Sequence, residues 1–549
     1  MHSKNRAQVR WLAFCAGFGS MLPHASAIIT FGGTGNNYTT PPGGIGSYVG
    51  QTGNGFAGTT ISPRVMLTAT HISGNTTGSF TFNSVTYPMQ IAATLDDLAV
   101  WQIAPNDSAS FATYAPLYTG NSETNLPLVA VGYGVQRSYA VTGGWQWGAG
   151  NGQLSWGTNT VSAIDTDAQL GETPNFGGDF LRYDFNNSPT DPNEGILAVG
   201  DSGGGVFVLN NGVYQLDGVN SLVDTVLDSS GNQLQAALYD QYGYYYRNTP
   251  GGPLIQITTH TPDSSFATRI SSKMNLVGVV QGTITPANAA SFPINNDGDL
   301  SIYTNMTTGA ITGDALLSIG APLTPAVKAT LQIAPNSGGS EISSLSIASG
   351  CTLDITNTHV IIDDITPAKQ ASIMAYLASG YNGGTWNGTG IISSTAAASS
   401  GYYGVGMAGA GVVHGLTSGQ LEIAYALYGD TNLDGVVDGS DFTTLVTNLG
   451  KSVSGGWQDG DFTYDGIVTG TDFSLLASNF GKTANGTSVE LPSSDWAALD
   501  AYEAANGLAI SNIPEPACSG LLGVAGLTVL ARRRRHSWSC TPAIVAAVK

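Results

Sequence analysis

Charged residues and cysteines are scarce in this chain of 549 residues. Only 10% of the residues are charged, whereas 73 are glycine, a balance typical of turn-rich extracellular β-domains rather than of helical cytosolic proteins. None of the four cysteines falls between residues 28 and 280, which excludes disulfides and thiolate metal sites from that region. The formal net charge of −20 argues against a nucleic-acid partner, because little in the chain would neutralise phosphates. The length indicates three or more domains, since single cores rarely grow beyond roughly 250–300 residues.

The N-terminal segment has the three parts of an export signal. Three basic residues precede an apolar stretch over residues 11–22, and the small residues 25–27 form a cleavage site. This pattern predicts a signal peptide over residues 1–27 and a mature chain that begins at Ile28.

The C-terminal segment has a second tripartite pattern. A Pro-Glu-Pro motif at residues 514–516 precedes an apolar run over residues 517–531 and four consecutive arginines. The run is short for a membrane span, which needs roughly twenty residues. Motif, run and arginines together resemble the bacterial PEP-CTERM sorting signal, which implies processing by a sorting protease and removal of the transmembrane segment. We therefore expect a sorting signal over residues 512–536, a tail over residues 537–549, and a secreted or bacterial cell-surface protein.

The rest of the chain divides into regions of different pattern. Residues 28–280 alternate short apolar segments with Gly, Asn and Pro turns, which is typical of an all-β barrel or sandwich. Residues 281–428 are again strand-like, a β-rich domain of unknown role with one predicted helix over residues 367–377. Residues 429–482 contain two similar copies of one pattern, and residues 483–511 have the composition of a spacer.

Three segments of the first region offer the parts of a serine hydrolase. Residues 61–71 form a strand that ends at His71, residues 97–101 begin a strand with Asp97, and residues 200–204 form a glycine-rich turn around Ser202. Hydrolysis by serine needs a base for the hydroxyl proton, a carboxylate that orients the base, and N–H donors for the developing oxyanion. No other histidine lies between His24 and His260, so His71 is the obvious base of this region.

These segments resemble the signatures of the chymotrypsin/trypsin family. Residues 67–71 read Leu-Thr-Ala-Thr-His, residues 97–100 read Asp-Leu-Ala-Val, and residues 200–204 read Gly-Asp-Ser-Gly-Gly. The Val-Gly-Tyr-Gly of residues 131–134 and the segment 266–272 add to the resemblance, which covers about half of the chain. It implies a chymotrypsin-like double β-barrel over residues 28–280 and a secreted serine endopeptidase that hydrolyses peptide bonds.

The resemblance also implies a role for each matching residue. Ser202 is then the nucleophile that forms the acyl-enzyme, His71 the general base and later the acid, and Asp97 the carboxylate that orients His71. The backbone N–H groups of Gly200 and Ser202 form the oxyanion hole. Peptides or proteins are the expected substrates, and catalysis needs no cofactor.

The same resemblance places a specificity pocket next to this site. Ile196 stands where an aspartate would select Lys or Arg, so cleavage after basic residues is not expected. Ser221, Leu222 and Val223 form the pocket-side strand that pairs with substrate. We expect an apolar or small side chain before the cut.

Activation by signal cleavage is a further hypothesis. In the family a new N-terminus, usually isoleucine, pairs with the aspartate that precedes the nucleophile. Removal of residues 1–27 exposes Ile28, and Asp201 is the matching aspartate. The hypothesis is that Ile28 pairs with Asp201 and that the enzyme becomes active on export.

Two other functions fit parts of the sequence. The Gly-x-Ser-x-Gly of residues 200–204 also fits the nucleophile elbow of α/β-hydrolases, which would need His260 or His414 as the base. A strand over residues 206–209 follows this turn, however, whereas an esterase of that fold needs a helix. The alternative from another class is a surface structural or adhesive scaffold whose protease domain is inactive or cleaves only itself.

The two copies in residues 429–482 have the oxygen spacing of calcium loops. Their oxygen-bearing side chains recur at loop positions 1, 3, 5, 9 and 12, with Gly435 and Gly466 at position 6 for the sharp turn. The first copy offers Asp430, Asn432, Asp434, Asp438 and Asp441, and the second offers Asp461, Thr463, Asp465, Thr469 and Asp472. An amphipathic helix is predicted after each loop.

This duplicated loop and helix resembles a type I dockerin, a small α-helical calcium module. The resemblance implies bound Ca²⁺, backbone carbonyl ligands at Val436 and Ile467, and docking onto a cohesin-like protein. Residues 439–440 and 470–471 fall where dockerins carry partner-reading residues. A purely structural calcium clip remains an equal alternative.

Overall fold

The computed structural model describes residues 28–141, 143–166, 178–187, 190–224, 236–240, 245–246, 255–256, 262–321, 323 and 326–506. The predicted signal peptide and sorting signal, and also His260, lie outside these residues. The described chain is mainly β with a few helices, which confirms the predicted fold class. None of its described helices is both long and apolar enough to cross a membrane.

Six antiparallel strands close on themselves to form the first barrel. After the short strand β1 (Ile29–Thr30), these strands are β2 (Val49–Thr52), β3 (Ala57–Thr60), β4 (Val65–Ala69), β5 (Thr77–Phe82), β6 (Val85–Leu95) and β7 (Leu98–Ile103). Their order is β2, β3, β4, β7, β6, β5 and again β2. Met66, Phe80 and Trp101 come from three strands of this ring and share its core. Leu67, Leu98 and Val100 lie on the other face, where they pack with residues of the second half such as Val129.

Seven antiparallel strands form the main sheet of the second half of this domain. The strands of this half are β8 (Pro127–Gly132), β9 (Arg137–Val141), β10 (Gly144–Trp147), β11 (Ser155–Thr160), β12 (Ala163–Thr166), β13 (Asp179–Asp184), β14 (Gly195–Ile196), β15 (Gly205–Asn210), β16 (Val213–Val223), β17 (Ala236–Leu238), β18 (Tyr245–Tyr246), β19 (Ile255–Gln256) and β20 (Ser264–Arg269). The sheet order is β11, β8, β15, β16, β20, β13, β12. Leu128, Leu181 and Val206 come from strands far apart in that order and share one core, so the sheet curls around it. The closed barrel and this curled sheet pack against each other, an arrangement that fits the chymotrypsin-like double β-barrel implied by the resemblance.

Short helices connect these parts. Helix α1 (Met274–Gln281) follows β20, and it places Val277 in the cluster shared by the two halves of the first domain and Leu276 in the core of the next domain. The 3-10 turns are Pro42–Tyr48, Thr70–Ile72, Ser271–Lys273, Ala289–Ser291, Asn382–Gly384 and Gly456–Asp459. The first domain is therefore packed directly against the second.

The β-rich second domain is a parallel β-solenoid. Its elements are β21 (Ile294–Asn295), β22 (Leu300–Ile302), β23 (Met306–Thr308), β24 (Ile311–Thr312), β25 (Leu316–Ile319), β26 (Thr330–Ile333), β27 (Ser340–Ile342), β28 (Ser344–Ile347), β29 (Thr352–Asp354), β30 (His359–Ile362), α2 (Pro367–Tyr381), β31 (Gly390–Ile392), α3 (Ser394–Ala397), β32 (Tyr403–Gly409) and β33 (Leu421–Leu427). Strands from successive coils pair in parallel as three ladders, β21–β24–β27–β30, β22–β25–β28 and β23–β26–β29–β31. Helix α2 begins at the predicted residue, where Thr366 accepts the cap bond from the Lys369 N–H.

Three helices end the described chain. They are α4 (Gly439–Asn448), α5 (Gly470–Asn479) and α6 (Ser493–Asn506). The first two follow the two calcium-type loops, as predicted. The third corrects the expectation of a spacer, because Leu499 is fully buried and the Tyr502 ring lies 5.3 Å from that of Phe473. Polar residues around these few apolar positions hid the helix in the sequence.

Candidate active site and calcium loops

His71 and Asp97 are held by the ends of paired strands. Strand β4 stops at Ala69 and a 3-10 turn carries His71, while Asp97 lies in the turn between β6 and β7. The Thr70 N–H donates to the Asp97 carbonyl at 2.9 Å, and the His71 N–H donates to the Asp97 carboxylate at 2.9 Å. Backbone bonds thus fix the two residues relative to each other before their side chains meet.

The side chains of His71, Asp97 and Ser202 form one hydrogen-bonded chain. His71 Nδ1 lies 2.9 Å from both carboxylate oxygens of Asp97, and His71 Nε2 lies 2.8 Å from Ser202 Oγ. Asp97 is fully buried and His71 is 7% exposed in its side chain. The structure therefore brings together the three residues that the sequence singles out, at distances suited to proton transfer.

Asp97 controls the protonation of His71. Burial by itself lowers the pKa of His71, but the negative charge of Asp97 and its hydrogen bond outweigh burial, so the pKa lies above its ordinary value. An imidazolium at this position is therefore stabilised, which is what a base needs after it takes the serine proton.

The turn around Ser202 depends on glycine. Gly200 has φ 96° and Gly203 has φ 81°, which are left-handed values that favour glycine. Asn220, which lies on β16, supports this turn. Its backbone exchanges hydrogen bonds with Gly203 and Gly204, and its side-chain amide donates to the Asp201 carbonyl at 3.2 Å. Ser202 Oγ is thereby presented to His71.

The N–H groups of Gly200 and Ser202 are available to an incoming oxyanion. Neither has a hydrogen-bond acceptor among the described residues. Two free N–H donors beside a serine hydroxyl form the kind of site that stabilises the charge of a tetrahedral intermediate.

Asp201 points away from Ser202 into the second half of the first domain. Its carboxylate is fully buried and accepts from the backbone N–H groups of Gly134 at 2.7 Å and Ala198 at 2.8 Å. Burial raises the pKa of Asp201 to about 7. The Ile28 carbonyl accepts instead from the side chains of Asn36 and Ser155. Since residue 27 still precedes Ile28 in this chain, the pairing of a free Ile28 terminus with Asp201 stays a prediction.

Ser221 has a contact that the sequence did not indicate. The register of β16 shifts between Asn220 and Leu222, and the intervening Ser221 turns its hydroxyl toward Asp97 and donates to Oδ2. Sequence reasoning assigned Ser221 to the pocket wall; the structure makes it a second donor to the carboxylate that orients His71.

The other predicted pocket residues are mostly buried. Ile196 is 1% exposed and lies in a cluster with Trp147 and Phe185, and Leu222 is 4% exposed and packs with aromatic residues. In this conformation neither offers much surface to a substrate, and the preference for an apolar or small side chain stays a prediction. Val223 is half-buried.

One flank of the strand at residues 221–223 is open. Strand β15 begins at Gly205, opposite Val219, so no described strand lies beside residues 221–223 on the side away from β20. An extended peptide could therefore add to this flank through main-chain hydrogen bonds. A cavity of about 280 Å³ is lined by residues near His71 in the chain, among them Thr68, Ile72 and Ser73.

The calcium-type loops bury their first and last carboxylates. Asp430, Asp441, Asp461 and Asp472 are at most 2% exposed, and none of them forms an ion pair with a described basic residue. Burial and the neighbouring carboxylates raise the pKa of Asp430 to about 8, and burial raises that of Asp441 to about 6. Buried negative charge without a counter-charge indicates a place for a cation.

The loops offer the oxygen donors that calcium prefers, although their carboxylates accept hydrogen bonds from N–H groups of the same loop in this structure. Asp430 accepts from the N–H of Gly435, and Asp461 accepts from that of Gly466. Among the described residues no three His, Cys, Asp or Glu side chains converge as a metal site. The glycine turn and the all-oxygen donor set occur in both copies, however, and calcium prefers such donors.

The calcium module packs against the solenoid rather than standing apart from it. The indole of Trp457 donates to the Asp430 carbonyl at 2.6 Å, and the hydroxyl of Tyr464 donates to the Val405 carbonyl of β32 at 2.7 Å. Trp457 also stacks on Tyr428 with ring centroids 5.4 Å apart. Loop and solenoid therefore share one core.

Comparisons with known proteins agree with parts of this description. Residues 428–481 match the Dockerin type I domain, and no curated protein matches the chain. Among solved structures, the Rv3671c protease in an inactive form has 13% identity and a TM-score of 0.22, and the match covers 36% of this chain and 92% of that one. The MamO protease domain from Magnetospirillum magneticum in an apo form has 13% identity and a TM-score of 0.25, and the match covers 42% of this chain and 95% of that one. The chain thus carries a dockerin type I module at residues 428–481.

Proposed function

We propose that this protein is an exported serine endopeptidase that carries a calcium-binding docking module. The observation that carries the proposal is the unbroken chain from Ser202 through His71 to Asp97, with contacts of 2.8 and 2.9 Å. The N–H groups of Gly200 and Ser202 support it, because they have no acceptor among the described residues and could donate to the oxyanion of an acyl transfer.

The chemistry follows from these contacts. Ser202 Oγ attacks the peptide carbonyl carbon while His71 Nε2 takes the hydroxyl proton, and Asp97 stabilises the resulting imidazolium. When the C–N bond breaks, His71 gives this proton to the leaving amine, and an acyl ester on Ser202 remains. Water then attacks the ester with His71 again as base, which releases the acid and restores Ser202.

The substrate would bind as an extended peptide on the open flank of residues 221–223. We propose a preference for an apolar or small side chain before the cut, since Ile196 replaces the aspartate that would select a basic one. Export through the signal peptide and retention at the cell surface through the sorting signal are part of the same proposal.

Calcium would be held by the oxygen donors of the two loops, with the backbone carbonyls of Val436 and Ile467 completing each set. The ion would neutralise the buried carboxylates that begin and end each loop. A cohesin-like protein is the proposed partner. Gly470 and Thr471 are exposed, and a Cβ at Gly470 would meet nothing within 4 Å, whereas one at Gly439 would meet the Asp495 carboxylate of α6. Docking through the second copy is therefore favoured.

Labelling with a fluorophosphonate probe tests the enzyme. We expect the calcium-loaded mature protein to be labelled, and Ser202→Ala and His71→Ala to abolish labelling. The exposed serine variant Ser418→Ala is the matched control and should label normally. A folded wild-type protein that takes no label would contradict the proposal and favour the scaffold alternative.

A further inference from the structure

The catalytic carboxylate lies on a strand shared with the solenoid. Strand β6 pairs with β5 only as far as Gln90. Its last residues, Ala93 to Leu95, pair with β7 on one side and with the solenoid strand β22 on the other. Leu95 is opposite Leu300, two residues before Asp97. The solenoid thus completes the sheet at the point where the chain turns to present Asp97.

The turn that holds Asp97 is also locked by a buried ion pair. Asp96 has φ 55°, a left-handed value that non-glycine residues seldom adopt. Its carboxylate lies 2.7 Å from Lys273 Nζ, with side-chain exposures of 0% for Asp96 and 2% for Lys273. Gly178 covers the pair so closely that a Cβ there would lie 2.0 Å from the Asp96 carboxylate. Lys273 and Gly178 therefore both restrict the side chain of Asp96.

Lys273 stands at the junction between the two domains. It ends the 3-10 turn that leads into α1, and this turn packs against β21 of the solenoid. Its positive charge also acts on Asp297, which lies between β21 and β22. One ammonium group therefore connects the turn before the catalytic aspartate to the first coil of the solenoid.

We propose that Lys273 and Asp96 are positioning residues for the triad, and that the first solenoid coil acts through them and β22 to hold Asp97 toward His71. The inference rests on the proposed function. It explains why a lysine is fully buried next to the catalytic turn, and it gives the solenoid a part in catalysis beyond that of a spacer. Neither residue contacts Ser202 or the proposed substrate flank.

The test compares Lys273→Met with wild type by two measurements. The first is the rate of fluorophosphonate labelling against pH, and the second is the low-field NMR resonance of the His71 Nδ1 proton. We expect labelling to slow at least tenfold and its acid limb to move to lower pH, because a displaced Asp97 stabilises the His71 imidazolium less. The resonance should shift or broaden. Lys273→Arg, which keeps the charge, should recover most of the rate.

Two further variants keep the result decisive. Lys369→Met breaks the exposed ion pair with Asp364 and should leave both measurements unchanged. Asparagine tolerates the left-handed φ of residue 96, so Asp96→Asn can be tested instead if the Lys273→Met protein does not fold. A folded variant with wild-type pH profile and resonance would overturn the inference and leave the ion pair merely structural. If wild type is not labelled at all, the resonance still reports whether Lys273 orients Asp97, so failure of the proposed function is recognised separately.

Discussion

Replacing Asp97 by asparagine tests the electrostatic argument most directly. In the transition state His71 becomes an imidazolium 2.9 Å from a fully buried carboxylate. Opposite charges at that separation attract by about 6 kcal/mol at an effective dielectric constant of about 20. At about 1.4 kcal/mol for each tenfold change, this corresponds to about four orders of magnitude in rate. Because asparagine can keep a hydrogen bond, we expect Asp97→Asn to slow labelling by about 10³- to 10⁴-fold.

The pH dependence gives this prediction a second readout. Only neutral His71 can act as the base, so labelling of wild type should rise with pH through a pKa above the ordinary value for histidine. Without the Asp97 charge, burial alone remains and lowers the pKa of His71, so the acid limb should move to lower pH. The assay is the labelling rate across pH, with the exposed variant Asp364→Asn as control. A loss of less than tenfold, or an acid limb that stays in place in a folded protein, would refute the reasoning.

Three further predictions follow from particular contacts. Ser221→Ala removes the hydroxyl donor to Asp97. Because hydrogen bonds to charged groups contribute about 1.5–3 kcal/mol, labelling should slow roughly tenfold or more, with partial recovery in Ser221→Thr. An unchanged rate would show that Ser221 has no such role. Burial and the charge of Glu123 raise the pKa of Asp217 to about 8. The folded state therefore favours the protonated carboxyl, and the free energy of unfolding falls as the pH rises toward that value. Asp217→Asn should therefore stabilise the fold by roughly 1 kcal/mol or more in urea unfolding above about pH 8, and much less near about pH 4; equal effects at both would contradict this. Calcium at about a hundred times its dissociation constant should raise the unfolding free energy by about 2.7 kcal/mol for each loop that binds it, measured by calorimetry against chelator. Asp441→Ala combined with Asp472→Ala should abolish most of the gain, whereas a gain that survives both changes would place calcium elsewhere.

Short sequence motifs predicted most residues of the candidate site. His71, Asp97 and Ser202 stand out because each belongs to a short motif with its own backbone requirement, and the glycine turn at residues 200–204 needs left-handed φ values that the structure shows at Gly200 and Gly203. The loop positions of the calcium repeat are likewise set by spacing within a dozen residues. The mainly β fold class follows from the same kind of short-range evidence, since turns and alternating apolar residues recur throughout residues 28–280.

Contacts between distant residues had no such signal. Ser221 faces Asp97 only because β16 bulges beside residues 124 positions away in sequence. The solenoid escaped prediction because the strands of its parallel ladders are two to four residues long, which is too short to show alternation. They become ladders only when the coils stack.

The sequence by itself determined which residues are candidates for the chemistry, because a hydroxyl, an imidazole and carboxylates are properties of residue types, and their motifs are set by short spacing. Only the tertiary structure decided what supports them. Lys273 meets Asp96, β22 joins β6, and Trp457 reaches Asp430 through pairings whose partners lie far apart along the chain. Such contacts depend on how whole strands and helices pack, and no local pattern encodes that packing.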